Sequence, residues 1–170
     1  METWDAYRAR RNVRAYAERS IEDADLDRIL EAGRRAPSAR NNQPWDFVVV
    51  TRRDTLVDLA TVWMGAGHIA SSAATIVVVS PVLEGRDAMT AEFDVGQAVM
   101  GMAVVAADLG IGSGHASIGD QARLRALLGL PETHRGSRLL ALGYPADKAL
   151  KPLRRMDRRP FSEVVHRERW

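Results

Sequence analysis

Two short stretches near the start of the chain concentrate residue types that bind a polar, anionic small molecule: Arg10-Arg11-Asn12-Val13-Arg14 and Pro37-Ser38-Ala39-Arg40-Asn41-Asn42-Gln43-Pro44-Trp45. Side chains alternate along an extended segment, so Arg10, Asn12 and Arg14 share one side while Arg11 and Val13 take the other. Guanidinium groups hold phosphate through paired, charge-assisted hydrogen bonds and keep their charge at any working pH. The first stretch therefore suits a phosphate and a polar ring edge. In the second, Pro37 and Pro44 enforce an irregular backbone between two regular elements, which leaves Ser38, Asn41 and Gln43 available to something planar and polar.

The elements around these stretches follow from apolar spacing. Trp4, Tyr7 and then Val13 suit a short amphipathic helix running into the extended arginine segment. Ser20 followed by Asp23 opens a second helix with Leu26, Ile29, Leu30 and Gly33 on one face, and it must stop before Pro37. Phe47 to Val50 reads as a buried strand, Leu56, Leu59 and Val62 as a short helix, and Ala74 to Val79 as the strongest strand, closed by Ser80 and Pro81. From Ala91 to Leu109 the residues are nearly all small or apolar, which predicts a helix buried on several sides, against the sheet and either against a second subunit or at the centre of a monomer. A glycine-rich turn or strand, Gly110 to His115, comes next. A helix at Leu124, Leu127 and Leu128 and a last buried strand from Leu139 to Tyr144 complete the pattern. Alternating helices and apolar strands argue for an α/β or α+β sheet sandwiched by helices.

Both stretches, in this order, resemble the nitroreductase family, whose pattern is Arg-Arg-Ser-aliphatic-Arg followed by Pro-Ser-x-x-Asn-x-Gln-Pro-Trp. The resemblance extends to Arg158-Arg159-Pro160-Phe161-Ser162-Glu163-Val164-Val165-His166, similar to the family's Arg-x-Pro-Leu-Glu-Glu-Val-Val tail. Asn12 stands where the family usually has serine. The resemblance implies an α+β fold with a mixed, mostly antiparallel sheet, in a homodimer whose C-terminal arm crosses to the partner. It implies flavin mononucleotide (FMN) as cofactor, with Arg10, Asn12 and Arg158 at the phosphate and Arg14 at the ribityl or pyrimidine side. Arg11 would contribute through its main chain, and Pro37, Ser38, Asn41 and Gln43 would shape the ring pocket, some of them across the dimer interface. Gly112 and Ser113 fall where the family's loop approaches the flavin, although the same glycines also fit a helix C-cap and turn. The implied activity is hydride transfer from NAD(P)H through the flavin to a nitroaromatic, quinone or similar electron-poor acceptor in a ping-pong cycle, with no side chain acting as general base. Alternatives are a flavin-sequestering protein with little turnover, or a same-fold dehydrogenase, dehalogenase or flavin-degrading enzyme. The short apolar segment Trp63 to His68 replaces the larger members' substrate-covering insertion, which motivates the sequestering alternative.

Composition narrows the rest. At 170 residues the chain fits one domain spanning 1–170, with 46% hydrophobic and 27% charged residues, the balance of a soluble globular protein. The absence of cysteine excludes disulfides, thiolate catalysis and Cys-ligated metal centres, so redox chemistry must come from a bound cofactor. A net charge of +2 describes a mixed surface, not a nucleic-acid footprint, though Arg154, Arg155, Arg158 and Arg159 cluster either as a solvated tail or as an anion site shared with Arg10. The apolar run from Ala73 to Leu83 is shorter than the roughly 20 residues of a membrane helix, and a charged N-terminus argues for a cytoplasmic protein. His68, His115, His134 and His166 lack metal-ligand spacing, and His115 reads first as a satisfied structural histidine, with a substrate-facing role as the alternative. Glu92 and Asp94 fall on different faces of a helix, a poor arrangement for paired carboxylate catalysis.

Overall fold

The computed structural model describes residues 1–154 and 157–170; Arg155 of the arginine cluster lies outside them. Among the described residues four strands, β1 (Asp46–Val50), β2 (Ala74–Pro81), β3 (Gly112–Ala116) and β4 (His134–Gly143), form one antiparallel sheet in the order β1-β2-β4-β3. The parallel contribution is a bridge between Asn12 and Ser113, which lays the arginine segment alongside β3. Strand alternation divides the core into two layers. Ile76, Val78, Leu140 and Leu142 face α2 (Asp23–Arg34) and α4 (Gly85–Asp108), meeting Ile29, Ala98 and Met102. Val77, Val79, Leu139 and Ala141 face α3 (Arg53–Leu59) and α5 (Gln121–Leu128), meeting Leu56, Leu59 and Leu124.

The sequence pattern accounts for most of these elements. β2 is buried on both faces, as its unbroken apolar run requires, and includes Ser80 and Pro81 instead of ending before them. The Asp120 carboxylate accepts from the Arg123 N–H at 2.8 Å and so fixes the start of α5. Three expectations need correction. β1 is an edge strand with only Val50 buried, because β2 is its sole partner in the sheet order. The second helix starts at Asp23 after Glu22, two residues beyond Ser20, with Asp23 and Asp25 placed favourably in its first turn. In α1 (Thr3–Ala9) the buried face belongs to Ala6 and Ala9, while Trp4 and Tyr7 stack outward with ring centroids 5.8 Å apart. Small side chains let α1 lie close to α4, and the two aromatic rings, at helical spacing on another face, are left to solvent.

After β4 the described residues 144–154 and 157–160 lie outside the helices and strands, and the short helix α6 (Phe161–Val164) follows. The Arg8 guanidinium donates to the Leu153 carbonyl at 2.9 and 3.1 Å, tying this tail to α1. No helix among the described residues is long and apolar enough to cross a membrane.

Candidate active site

The arginine segment is held against β3 by two devices. Val13 donates its N–H to the Ser113 carbonyl at 2.9 Å and buries its side chain in the core. This close approach needs glycine at two positions: a Cβ on Gly112 would lie 2.6 Å from the Val13 side chain, and one on Gly114 would lie 2.4 Å from the Val13 carbonyl oxygen. Gly112 therefore serves as a spacer beneath Val13. Ser113 and His115, on the opposite face of β3, line a cavity of about 450 Å³ between the sheet and α4.

Into this cavity come Arg10, Asn12, Arg138 and Arg158, over an apolar wall that includes Val99 and Leu140. Arg10, at the C-cap of α1, has no hydrogen-bond or carboxylate partner for its guanidinium among the described residues, although it is half buried. Among the described residues, the one hydrogen bond of the Arg158 guanidinium is to the neighbouring Asp157 carbonyl, at 2.6 Å. Arg138 reaches Glu92 of α4 at 3.5 Å and keeps its other nitrogen on the Ser137 carbonyl. Arg11 points away, as alternation requires, and donates to the Asp147 carboxylate at 2.8 Å and the Lys148 carbonyl at 2.9 Å. Arg10 and Arg158, without a carboxylate partner among the described residues, thus concentrate positive charge at one end of an apolar cleft, the donor set a phosphate monoester needs.

Arg14 is exposed and adds its charge to the histidines beside the cavity. Partial burial, followed by the nearby charges of Arg14, Arg10, Arg138 and His68, holds the His115 imidazole below its ordinary pKa. Burial likewise lowers His68, whose Nε2 lies 3.4 Å from the Gly114 carbonyl. His115 makes no hydrogen bond among the described residues, so it is not the satisfied structural histidine expected from sequence. It is a polar group facing the cavity. Arg138 was also missed, although a charged residue in alternation with Leu140 and Leu142 on an inward-facing strand was its available signal.

The second stretch lies elsewhere in the same chain. Ser38, Asn41 and Gln43 do not line the cavity of Arg10 and Arg158. Pro37 borders an open apolar groove on α4 with Phe93 and Val104, and that groove shares Gly96 and Met100 with the cavity. Arg40, Asn41 and Gln43 have φ of 53°, 56° and 49°, three left-handed residues within four positions. Asparagine tolerates this geometry, but arginine and glutamine are strained there by about 1 kcal/mol each. The loop is closed by Gln43 N–H donating to Ser38 Oγ at 2.9 Å and by the Asn41 N–H on the Ser38 carbonyl at 3.0 Å. The segment Trp63 to Gly65 folds back instead of covering the cavity: the Val62 carbonyl accepts from the Gly119 and Asp120 N–H groups, and the Trp63 ring packs on Gly119.

Comparison with known proteins places this architecture. The model of the Nitroreductase family matches residues 7–70 and 60–144. A protein of Archaeoglobus fulgidus, provisionally named NADH dehydrogenase/NAD(P)H nitroreductase, is 34% identical over 166 residues, covering 95% of this chain and 94% of its own. The NADH dehydrogenase of Thermus thermophilus is 30% identical, over 92% of this chain and 91% of its own. Among solved structures, an FMN-dependent nitroreductase from Clostridium difficile superposes with a TM-score of 0.85 at 23% identity, over 100% of both chains. A Clostridium acetobutylicum protein provisionally named NADH oxidase superposes with a TM-score of 0.87 at 24% identity, over 98% of this chain and 100% of the other. At such identities the superpositions speak for the fold, and the kinship rests on the family model and on the relatives aligned almost end to end. By that kinship, the chain belongs to the nitroreductase family.

Proposed function

We propose that this chain, working over residues 1–170 as one nitroreductase-like domain, is an FMN-dependent oxidoreductase. It would pass hydride from NAD(P)H to a nitroaromatic, quinone or similar electron-poor acceptor in a ping-pong cycle. The observation that carries the reading is the convergence of Arg10, Asn12 and Arg158 on one cavity, with the Arg10 guanidinium unpaired among the described residues. These residues fit the group: guanidinium and amide donors match a dianionic phosphate, and the apolar wall of α4 matches a stacked aromatic ring. FMN, when bound, would supply the ring that accepts and releases hydride.

The protein's own residues would bind and tune. Arg10 and Arg158 would hold the phosphate, joined by the Asn12 amide and the Ser113 hydroxyl, and Arg11 would act through its main chain. Arg14 would set a fixed positive charge beside the polar edge of the ring, where negative charge develops on reduction, and so favour that change. Pro37, Ser38, Asn41 and Gln43 would shape the ring end. Because one chain separates that loop from the arginine cavity, the complete site requires a second copy of the chain. The homodimer is supported by the apolar groove running on from the cavity, by Phe93 at 69% exposure on α4, and by the tail's exposed Phe161 and Trp170.

The test is spectroscopic. The purified or FMN-reconstituted protein should show a bound-flavin absorbance that bleaches with NADH or NADPH under anaerobic conditions and returns on adding a quinone or nitroaromatic. Failure to bind FMN after reconstitution refutes the site. Binding without bleaching refutes the NAD(P)H-dependent turnover.

A further inference from the structure

Asp94 is a carboxylate buried to 2% exposure in the middle of an apolar helix, and nothing in the proposed chemistry uses it. Its Oδ2 accepts the Ala39 N–H at 3.0 Å and its Oδ1 accepts from Gln97 Nε2 at 3.3 Å. The same Gln97 nitrogen lies 3.4 Å from the Pro37 carbonyl. The two polar residues of this α4 turn thus grip both sides of Ser38, where the chain enters its three left-handed residues. A strained backbone persists only where its surroundings over-determine it, and such strain gathers where a fixed shape is used.

We propose that Asp94 is a positioning residue, which holds the loop from Ser38 to Gln43 in its binding shape and couples that shape to the wall of the arginine cavity. The coupling is short. Gly96 and Met100, on the same helix within two turns of Asp94, line that cavity. Carboxylate is the suited group, because it offers two acceptor oxygens and no donor, and so satisfies a backbone N–H and an amide NH2 together. The effect on flavin rests on the functional reading above; the grip on the loop does not.

Two measurements separate the cases: FMN affinity by quenching of flavin fluorescence, and hydrogen exchange of the 38–43 amides in the flavin-free protein. Asp94→Ala should weaken FMN binding by about 10-fold or more, the effect of one lost bond to a charged group. It should also speed exchange in the loop, while amides of β2 and β4 stay protected. Asp94→Asn keeps an acceptor oxygen for the Ala39 N–H and should recover most of the affinity. Equal losses in both variants with unchanged loop exchange would overturn the proposal, as would an Asp94→Ala protein matching the wild type in both measurements. An Asp94→Ala protein that loosens everywhere yet binds FMN normally would reduce Asp94 to a stability residue and equally overturn it. Wild-type protein that fails to bind FMN refutes the functional reading instead, and loop exchange alone then decides the role of Asp94.

Discussion

Replacing Arg10 by Ala should weaken FMN binding by about 10- to 150-fold and leave the fold intact. A guanidinium about 4 Å from a unit negative charge gains roughly 4 kcal/mol at the effective dielectric of a partly buried site. Removing Arg10 from water offsets part of that, and charge-assisted hydrogen bonds contribute about 1.5–3 kcal/mol net. At about 1.4 kcal/mol per decade this gives the stated range. Arg10 forms no ion pair among the described residues, so its loss leaves no orphaned carboxylate, and the melting temperature of the flavin-free protein should hardly move. The assay is a fluorescence-quenching titration of wild type, Arg10→Ala, Arg158→Ala and Arg11→Ala at low and high salt. The first two variants should lose affinity and part of its salt dependence. Arg11→Ala should lie close to wild type, because its side chain is spent on Asp147 and Lys148. Unchanged affinity in both Arg10→Ala and Arg158→Ala would refute the phosphate assignment.

Gly114→Ala should destabilise the protein by about 2–3 kcal/mol, because the new Cβ meets the rigid Val13 carbonyl at 2.4 Å; calorimetry should show a lower melting temperature by roughly 5–10 °C. Phe93→Glu, on the open groove of α4, should shift the protein from dimer to monomer in light scattering and weaken FMN binding in parallel; a dimer that persists would move the interface elsewhere. Stability should fall on acidification below the ordinary histidine value of 6.5. His68 and His115 both titrate lower when folded, so the unfolded chain binds more protons in that window, and the loss levels off below the native pKa values. Thermal melts of a His68→Gln, His115→Gln double variant should show a flatter dependence across that range; an unchanged slope would place the linkage on other groups.

How much of this was legible in the sequence depended on how local each signal was. β2 and α4 could be read because long apolar runs declare burial without reference to neighbours. The alternation of Arg10, Arg11, Asn12 and Val13 also survived, because a bridge to Ser113 keeps the segment extended. The position of β1 at the sheet edge was not legible, since Phe47 to Val50 reads the same whether one or two strands flank it. The outward aromatics of α1 failed for a related reason: which face of a short helix is buried depends on how closely its neighbour approaches. Within the site, Arg138 escaped notice and Asp94 was weighed only as half of a carboxylate pair, because each is a single polar residue in an apolar element. Its meaning appears only when the facing helix or loop is in place.

The two ends of the chain meet at the arginine cavity, and that has a consequence for how the protein is made. Among the described residues, every buried hydrophobic residue of the core lies between Ala6 and Leu142, whereas Arg158 also lines the cavity. During synthesis the sheet and both helical layers can assemble before the tail has emerged, so the hydrophobic framework would form first and the anion end last. Flavin capture would then be one of the final events of maturation. A nascent or nicked chain ending before Arg158 would be folded and soluble yet empty, a species that melting curves would pass as native and that only cofactor content would expose.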